Sequence, residues 1–426
     1  MKNFKKVAEL LAPAGSLEKL KYALAFGADA VYCGIPDFSL RARINTFTEK
    51  DIEQASKIAH RQSKKIYITL NIYAHNQHLE KVKRHLKFLQ KIKIDGIILS
   101  DPGILDLVKK YLPEVDIHLS TQANATNWRA VRFWSKQGIK RIILAREVAL
   151  SEIKEIRKNN PKIELEYFVH GAMCMSYSGR CILSKWMTDR SANLGDCSQP
   201  CRWLYNLKNK SNKNKNGGNI FLLENLEDDE KKYQLAIEED SHGTYFFNSK
   251  DLNLIEHLKD LIEAGVDSLK IEGRAKSVYY LSVVVRAYRK VIEALENKLP
   301  PKNINHIINE QKKELDGLTS RGYTKGFLFG KEPEHNFKNE NRKGNYIFVG
   351  EVKGAAGKMN IVKVHNELKI NDNLEVIVPT GNQKIKIKKL LGHNYQEVRE
   401  AHGGHKYNYF FEFDKVLKKN ALIRKK

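Results

Sequence analysis

From Val7 to about Ala275 one theme repeats: a short run rich in Val, Ile and Leu, then a longer stretch whose apolar residues recur at helical spacing. No other feature restricts the fold as much. The runs are Ala8–Leu11, Ala30–Cys33, Ile66–Leu70, Gly96–Leu99, Ile117–Leu119, Arg141–Leu144, Leu165–Val169, Tyr245–Phe247 and Ser268–Ile271. They are apolar nearly throughout rather than alternating, the pattern of parallel strands covered on both faces. Between them Leu17–Phe26, Glu49–Gln62, Trp128–Lys136 and Leu252–Glu263 read as helices. Eight or nine such units, with no glycine-rich nucleotide fingerprint after the first strand, predict an α/β fold of the (β/α)8 TIM-like barrel type rather than a doubly wound sheet.

A barrel of this kind places its chemistry at the carboxyl ends of the strands, and polar residues gather at those ends. They include Asn71, Ser100-Asp101, Ser120-Thr121-Gln122, Arg146-Glu147, His170, Ser249-Lys250-Asp251 and Glu272-Gly273-Arg274. Any one of them alone reads equally as a helix cap or a solvated loop. The barrel is expected to fill residues 1–298. Within it lie a cysteine-bearing loop at 170–204 and a Lys/Asn-rich insertion at 205–243 that reads as too polar to pack. Residues 299–343 form a helical connector after the long helix Val278–Glu296.

From 344 to 426 the texture changes to short strands, Tyr346–Val352, Asn360–Val364, Leu374–Val378, Lys384–Lys388 and Tyr407–Phe413, which predict a small antiparallel β-barrel with a possible RNA-contacting role. Alternation in Lys384–Lys388 would set three ammonium groups on one strand face, suited to a phosphate backbone or to a protected edge.

The formal net charge is +24, enough to attract a polyanion, although lysine and asparagine are abundant throughout. No apolar run approaches the roughly 18 residues of a membrane span. The basic start is followed within a few residues by Glu9 and Pro13, so no signal peptide and no membrane partner are expected. A cytoplasmic location follows.

Four of the five cysteines, Cys174, Cys181, Cys197 and Cys201, fall in a C-x6-C-x15-C-x3-C pattern. In a reducing compartment, thiols gathered this way point to a soft metal or an iron–sulfur cluster. The spacing lacks the paired C-x2-C knuckles of zinc ribbons and begins at a predicted strand end. A cubane cluster is therefore favoured, with zinc as the alternative. Packing thiols are the plainest reading, but Gly171, Gly179 and Gly195 give the segment a loop composition. No H-E-x-x-H, G-x-S-x-G or Walker A pattern occurs.

At Glu166-Tyr-Phe168-Val-His-Gly171-Ala172-Met173-Cys174 and Gly179-Arg-Cys181-Ile-Leu183-Ser184 the chain resembles the signature of the collagenase-like peptidase family, peptidase family U32. The likeness extends through Leu10–Gly15, Gly27–Tyr32, Phe38–Arg43, Phe247–Leu252 and Ile271–Arg274. A C-terminal small barrel also looks like that of the branch that modifies tRNA. This resemblance implies prephenate-dependent 5-hydroxylation of wobble uridine, with tRNA and a small dicarboxylate as partners and an accessory electron donor possible. Sister branches imply ribosomal RNA or a quinone precursor as substrate instead.

The resemblance also implies a [4Fe–4S] cluster on Cys174, Cys181 and Cys197. In some relatives the fourth ligand follows the Lys-Asp-Leu segment, where this chain has Asn253, leaving Cys201 for that role.

Such chemistry needs a base lifted from its stack, which a single-stranded loop makes cheap, and cations to hold a carboxylate. Arg41, Arg43, Arg146, Glu272 and Arg274 are the candidate substrate-binding residues, and His170, Glu166 and Lys250 the candidate catalysts. Each arginine reads as readily as the structural partner of Glu147 or Glu272, and His170 as a buried or supporting imidazole. Two rival functions stand beside this one: a collagenase-like protease, for which no nucleophile–base motif is visible, and a zinc-containing RNA-binding factor.

Overall fold

The computed structural model describes residues 8–36, 38, 46–174, 176–203, 205–213, 219–225, 234–238, 249–331 and 344–426, with backbone alone at 178, 206–213, 219–225 and 234–238. Eight parallel strands close on themselves: β1 Glu9–Pro13, β2 Ala30–Gly34, β3 Lys65–Leu70, β4 Gly96–Leu99, β5 Asp116–Leu119, β6 Arg141–Ile143, β7 Glu164–Ala172 and β12 Ser268–Ile271. Each pairs with the next, and β12 pairs with both β7 and β1. This is the predicted TIM-like barrel. Eight of the nine expected strands are its staves; the ninth, Tyr245–Phe247, lies outside the described residues.

The helices begin where the sequence supplies caps. Ser16 opens α1 (Leu17–Ala25), and Thr48 with Asp51 forms a capping box on α2 (Glu49–Arg61). Asp101, one of the polar strand-end residues, accepts the Ile104 N–H at 3.0 Å and starts α4 (Pro102–Tyr111). For Asp101 the cap reading holds. Helix α9 (Val278–Glu296), most of it buried, covers the barrel flank, and α10 (Pro301–Asp316) packs on it.

Two expectations are corrected. Strand β7 runs nine residues while β6 has three, so its far end has an edge that β6 cannot reach. Asp251–Asn253 (β11) fills that edge antiparallel, and Tyr323–Thr324 (β13) pairs with β11. The Lys-Asp-Leu segment therefore lies beside β7 rather than at the end of a parallel stave. Of the stretch Leu252–Glu263, only Leu258–Glu263 (α8) is α-helical.

The insertion expected to be unpackable instead contains an antiparallel sheet of β8 Tyr205–Lys213, β9 Asn219–Asn225 and β10 Gln234–Glu238. Polar β8 sits at the edge, where backbone pairing to one neighbour suffices and lysines are tolerated.

Inside the barrel the core is not wholly apolar. Glu9 accepts hydrogen bonds from Tyr67 Oη at 2.8 Å and from Arg141 Nη1 at 2.6 Å. Arg141 Nη1 reaches Glu166 Oε2 at 3.2 Å, and Lys270 Nζ donates to Glu166 Oε1 at 2.6 Å. The result is a buried chain of alternating charges that ends on Lys270.

The C-terminal unit is a seven-stranded antiparallel sheet in the order β18-β17-β22-β14-β15-β21-β19. Its strands are β14 Ile347–Ala356, β15 Met359–Val364, β17 Leu374–Val378, β18 Gly381–Ile385, β19 Ile387–Leu391, β21 Tyr409–Phe413 and β22 Leu422–Lys425, with β16 Leu368–Lys369 and β20 Glu400–Ala401 as a separate pair. The expected strand Lys384–Lys388 is broken at Lys386: β18 and β19 occupy the two ends of the sheet, which curls so that one residue joins them. The three lysines do not share one strand face.

Charged contacts fasten this unit to the barrel. Glu351 of β14 accepts from Tyr22 Oη of α1 at 3.0 Å, and Glu314 of α10 binds Arg286 of α9 and Arg424 of β22.

Candidate active site at the barrel mouth

A cavity of about 400 Å³ opens at the carboxyl ends of the staves. Its floor and one side come from barrel strands, and its other wall is the segment that follows β7. Lys270 of β12 lies at the floor, with Nζ 4.5 Å from the centroid of Tyr32 and tethered below to Glu166. Burial pulls its pKa down, against the pull of Glu166. Arg274 follows β12 and donates from Nη1 to Thr69 Oγ1 at 3.3 Å. Arg146 follows β6 and sits over Phe168, its Cζ 3.8 Å from the ring centroid, with its Nε buried and unpartnered. Three cations held by rings and hydroxyls thus converge on one desolvated space. This is the arrangement that binds carboxylate or phosphate.

The opposite wall carries Cys174, Cys181, Cys197 and Cys201, all lining the same cavity and all free thiols. Short turns hold them: Cys174 Sγ is 3.0 Å from Ser176 Oγ, the Cys181 N–H donates to Asn193 Oδ1 at 3.3 Å, and Cys197 Sγ accepts the Gln199 N–H at 3.3 Å. Burial pushes the Cys201 thiol up to about 11; Arg202 opposes this, and the other three sulfurs add to it. That mutual influence means the four thiols sit within electrostatic reach of one another. Among the described residues no three His, Cys, Asp or Glu side chains close in tightly enough for one metal ion.

Of the site residues expected from the sequence, the cavity brings together Arg146, Glu272, Arg274 and the four cysteines. Arg41 and Arg43 lie outside the described residues. Glu166 is fully buried in the ion chain beneath the floor, one bond removed from the cavity. Lys250 lies against Gly322 beside β11 and does not line the cavity.

His170 is turned away from the mouth. The β7–β12 register slips between Lys270 and Ile271, and the His170 ring packs among Tyr280, Tyr288 and Tyr323, with Nδ1 3.3 Å from Tyr288 Oη. Full burial lowers its pKa to about 4. Gly171, at φ +111°, makes the close crossing possible: a Cβ there would stand 2.4 Å from the Glu272 carbonyl oxygen. Cys33 is a fully buried core thiol whose pKa burial raises to about 12.

Sequence reasoning missed Lys270 as a floor residue, although a lysine inside the apolar run Ser268–Ile271 was the available signal. It also missed Arg180 and Arg202, which line the mouth from the cysteine segment.

A TIM-like barrel with a thiol-bearing wall and a cationic floor defines the class. The model named "Peptidase family U32" matches residues 15–338, and "Peptidase family U32 C-terminal domain" matches 344–424. The chain belongs to the peptidase U32 family. It is 40% identical to "tRNA hydroxylation protein P" of Haemophilus influenzae, over 93% of this chain and 92% of that one. It is 40% identical to "tRNA hydroxylation protein P1" of Bacillus subtilis, covering 88% and 84%. A Porphyromonas gingivalis protein named "Collagenase" is 30% identical, with 93% and 92% covered. Among the described residues, no helix is long and apolar enough to cross a membrane.

Proposed function

We propose that this chain hydroxylates C5 of the wobble uridine in tRNA, with prephenate as co-substrate and an iron–sulfur cluster held by Cys174, Cys181, Cys197 and Cys201. The observation that carries the reading is the opposition, across one cavity, of four thiols and three cations, in a chain alike over nearly its whole length to proteins named for tRNA hydroxylation.

Four thiolates are the donor set of a [4Fe–4S] cluster, which, when bound, supplies one-electron chemistry. The four cysteines line one cavity, and their spacing lacks the paired C-x2-C knuckles of zinc ribbons, which supports a cubane over zinc. Asn253 lies against Tyr288 Oη at 3.0 Å and does not line the cavity, which favours Cys201 as the fourth ligand.

Arg146 and Arg274 are suited to clamp a carboxylate, while Lys270 holds positive charge at the floor. A flipped uracil enters above them, where Phe168 and Tyr32 offer ring faces. Replacing C5–H by C5–OH inserts one oxygen atom and removes two electrons from the base, so the reaction needs an oxygen-donating two-electron oxidant alongside the groups that line the cavity.

The protease reading lacks parts: no histidine is among the described residues lining the cavity, and His170 of β7 is buried among Tyr280, Tyr288 and Tyr323. The test is mass spectrometry of tRNA nucleosides from a strain lacking this protein, rescued by wild type or by Cys174→Ala. Loss of 5-hydroxyuridine and its derivatives, restored by wild type alone, is the expected result. Unchanged nucleosides would overturn the tRNA assignment.

A further inference from the structure

Among the described residues eight large apolar side chains are exposed, and three of them fall between residues 177 and 186 on the cysteine segment. Tyr177 is 56% exposed, Ile182 76% and Trp186 68%. Ile182 and Trp186 are four apart, spanning the first turn of α7 (Leu183–Thr188), where the Trp186 N–H donates to the Ile182 carbonyl at 2.9 Å. Apolar surface gathered like this usually marks a contact site.

Glu147 and Glu152 stand within electrostatic reach of Tyr177, and the cavity side of the patch carries Arg180. Arg180, which lines the cavity, is fixed by Nε to the Gln122 carbonyl at 2.9 Å. Ile182, Arg180 and Arg202 also line the cavity, which makes the patch continuous with the place where a base must enter.

Resting on the RNA reading above, we propose that Tyr177, Ile182 and Trp186 form a stacking platform for the unpaired nucleotides that flank the base presented to the cavity. The occupant is single-stranded RNA. Flat rings take the π-faces of neighbouring bases regardless of sequence, Ile182 at the rim wedges between the target base and its neighbour, and Arg180 meets a phosphate. The platform also explains why the segment that carries the thiols keeps its largest rings in water: the same loop that bears the redox wall would grip the substrate.

The test uses the full chain purified without oxygen and an anticodon stem–loop RNA, comparing wild type, Trp186→Ala, Trp186→Phe and Tyr177→Ala. Trp186→Ala is expected to weaken binding about tenfold, with Trp186→Phe retaining most of the affinity, because a ring rather than the indole N–H is what a base needs. Thermal melting and bound iron should be unchanged in both. Wild-type tryptophan emission should be quenched by RNA more than that of Trp186→Phe.

Equal binding of the RNA by wild type and Trp186→Ala would overturn the platform and leave the tRNA reading standing. No binding by any form would fell both. A wild-type dimer in sedimentation that Trp186→Ala converts to monomer, with RNA affinity intact, would assign the patch to a second copy and overturn the proposal.

Discussion

Replacing Glu166 by glutamine tests the buried ion chain directly. Glu166 is fully buried and bonded to Lys270 at 2.6 Å and to Arg141 at 3.2 Å. Arg141 keeps Glu9 and Glu164 as partners, but Lys270 pairs with no second acid among the described residues and would be left as a buried cation. Removing one partner of a buried pair costs about 3–5 kcal/mol, because the remaining charge stays desolvated. For a barrel of this size that corresponds to a melting temperature lower by roughly 5–8 °C.

Circular dichroism melts at neutral pH would read the shift. The double variant Glu166→Gln/Lys270→Met, which takes away the stranded cation too, should recover at least about 2 kcal/mol of the loss. A Glu166→Gln protein that melts within about 2 °C of wild type would refute the argument. So would a double variant less stable than the single one. In either case Glu166 would have to be reconsidered as a group serving the reaction rather than the fold.

Two further outcomes follow from the same geometry. His170 titrates near 4 when folded and near 6.5 when unfolded, so its contribution is complete above about pH 6.5 and is lost as pH falls toward 4. His170→Phe should therefore lose about 2 kcal/mol less stability than wild type between pH 7 and pH 5 in denaturant titrations, and an identical pH slope would show that the imidazole takes a proton in place. Arg146→Lys removes the planar group that sits over Phe168, and should raise the KM for the carboxylate co-substrate about tenfold while leaving the stem–loop affinity unchanged. Equal loss of both would place Arg146 on the RNA.

The barrel was legible because burial on both faces leaves a mark that needs no partner to read: Gly96–Leu99 and Ser268–Ile271 have the bounds their apolar runs indicated. Strand β8 was not, since a polar edge strand is fixed by backbone pairing that composition does not record. The break at Lys386 was hidden for a related reason, because strict alternation continues through it while the hydrogen-bond partner changes from β17 to β21.

At the mouth, spacing alone drew attention to the cysteines, and the strand-end rule found Arg146 and Arg274. That rule failed for His170 and Lys250, because a register slip turned the first outward and β11 runs antiparallel. Lys270 went unread because a lysine within an apolar strand shows its use only when Glu166 is seen beneath it.

Strand β22 is the last of the strands in sequence yet sits inside the C-terminal sheet, hydrogen-bonded to β17 on one side and β14 on the other. As the chain emerges from a ribosome, those two strands must wait, edges open, until Leu422–Lys425 arrives to join them, and with it Arg424 to meet Glu314. A premature stop anywhere upstream of β22 would thus leave not a trimmed domain but an unpaired one. Its exposed edges would invite degradation and aggregation.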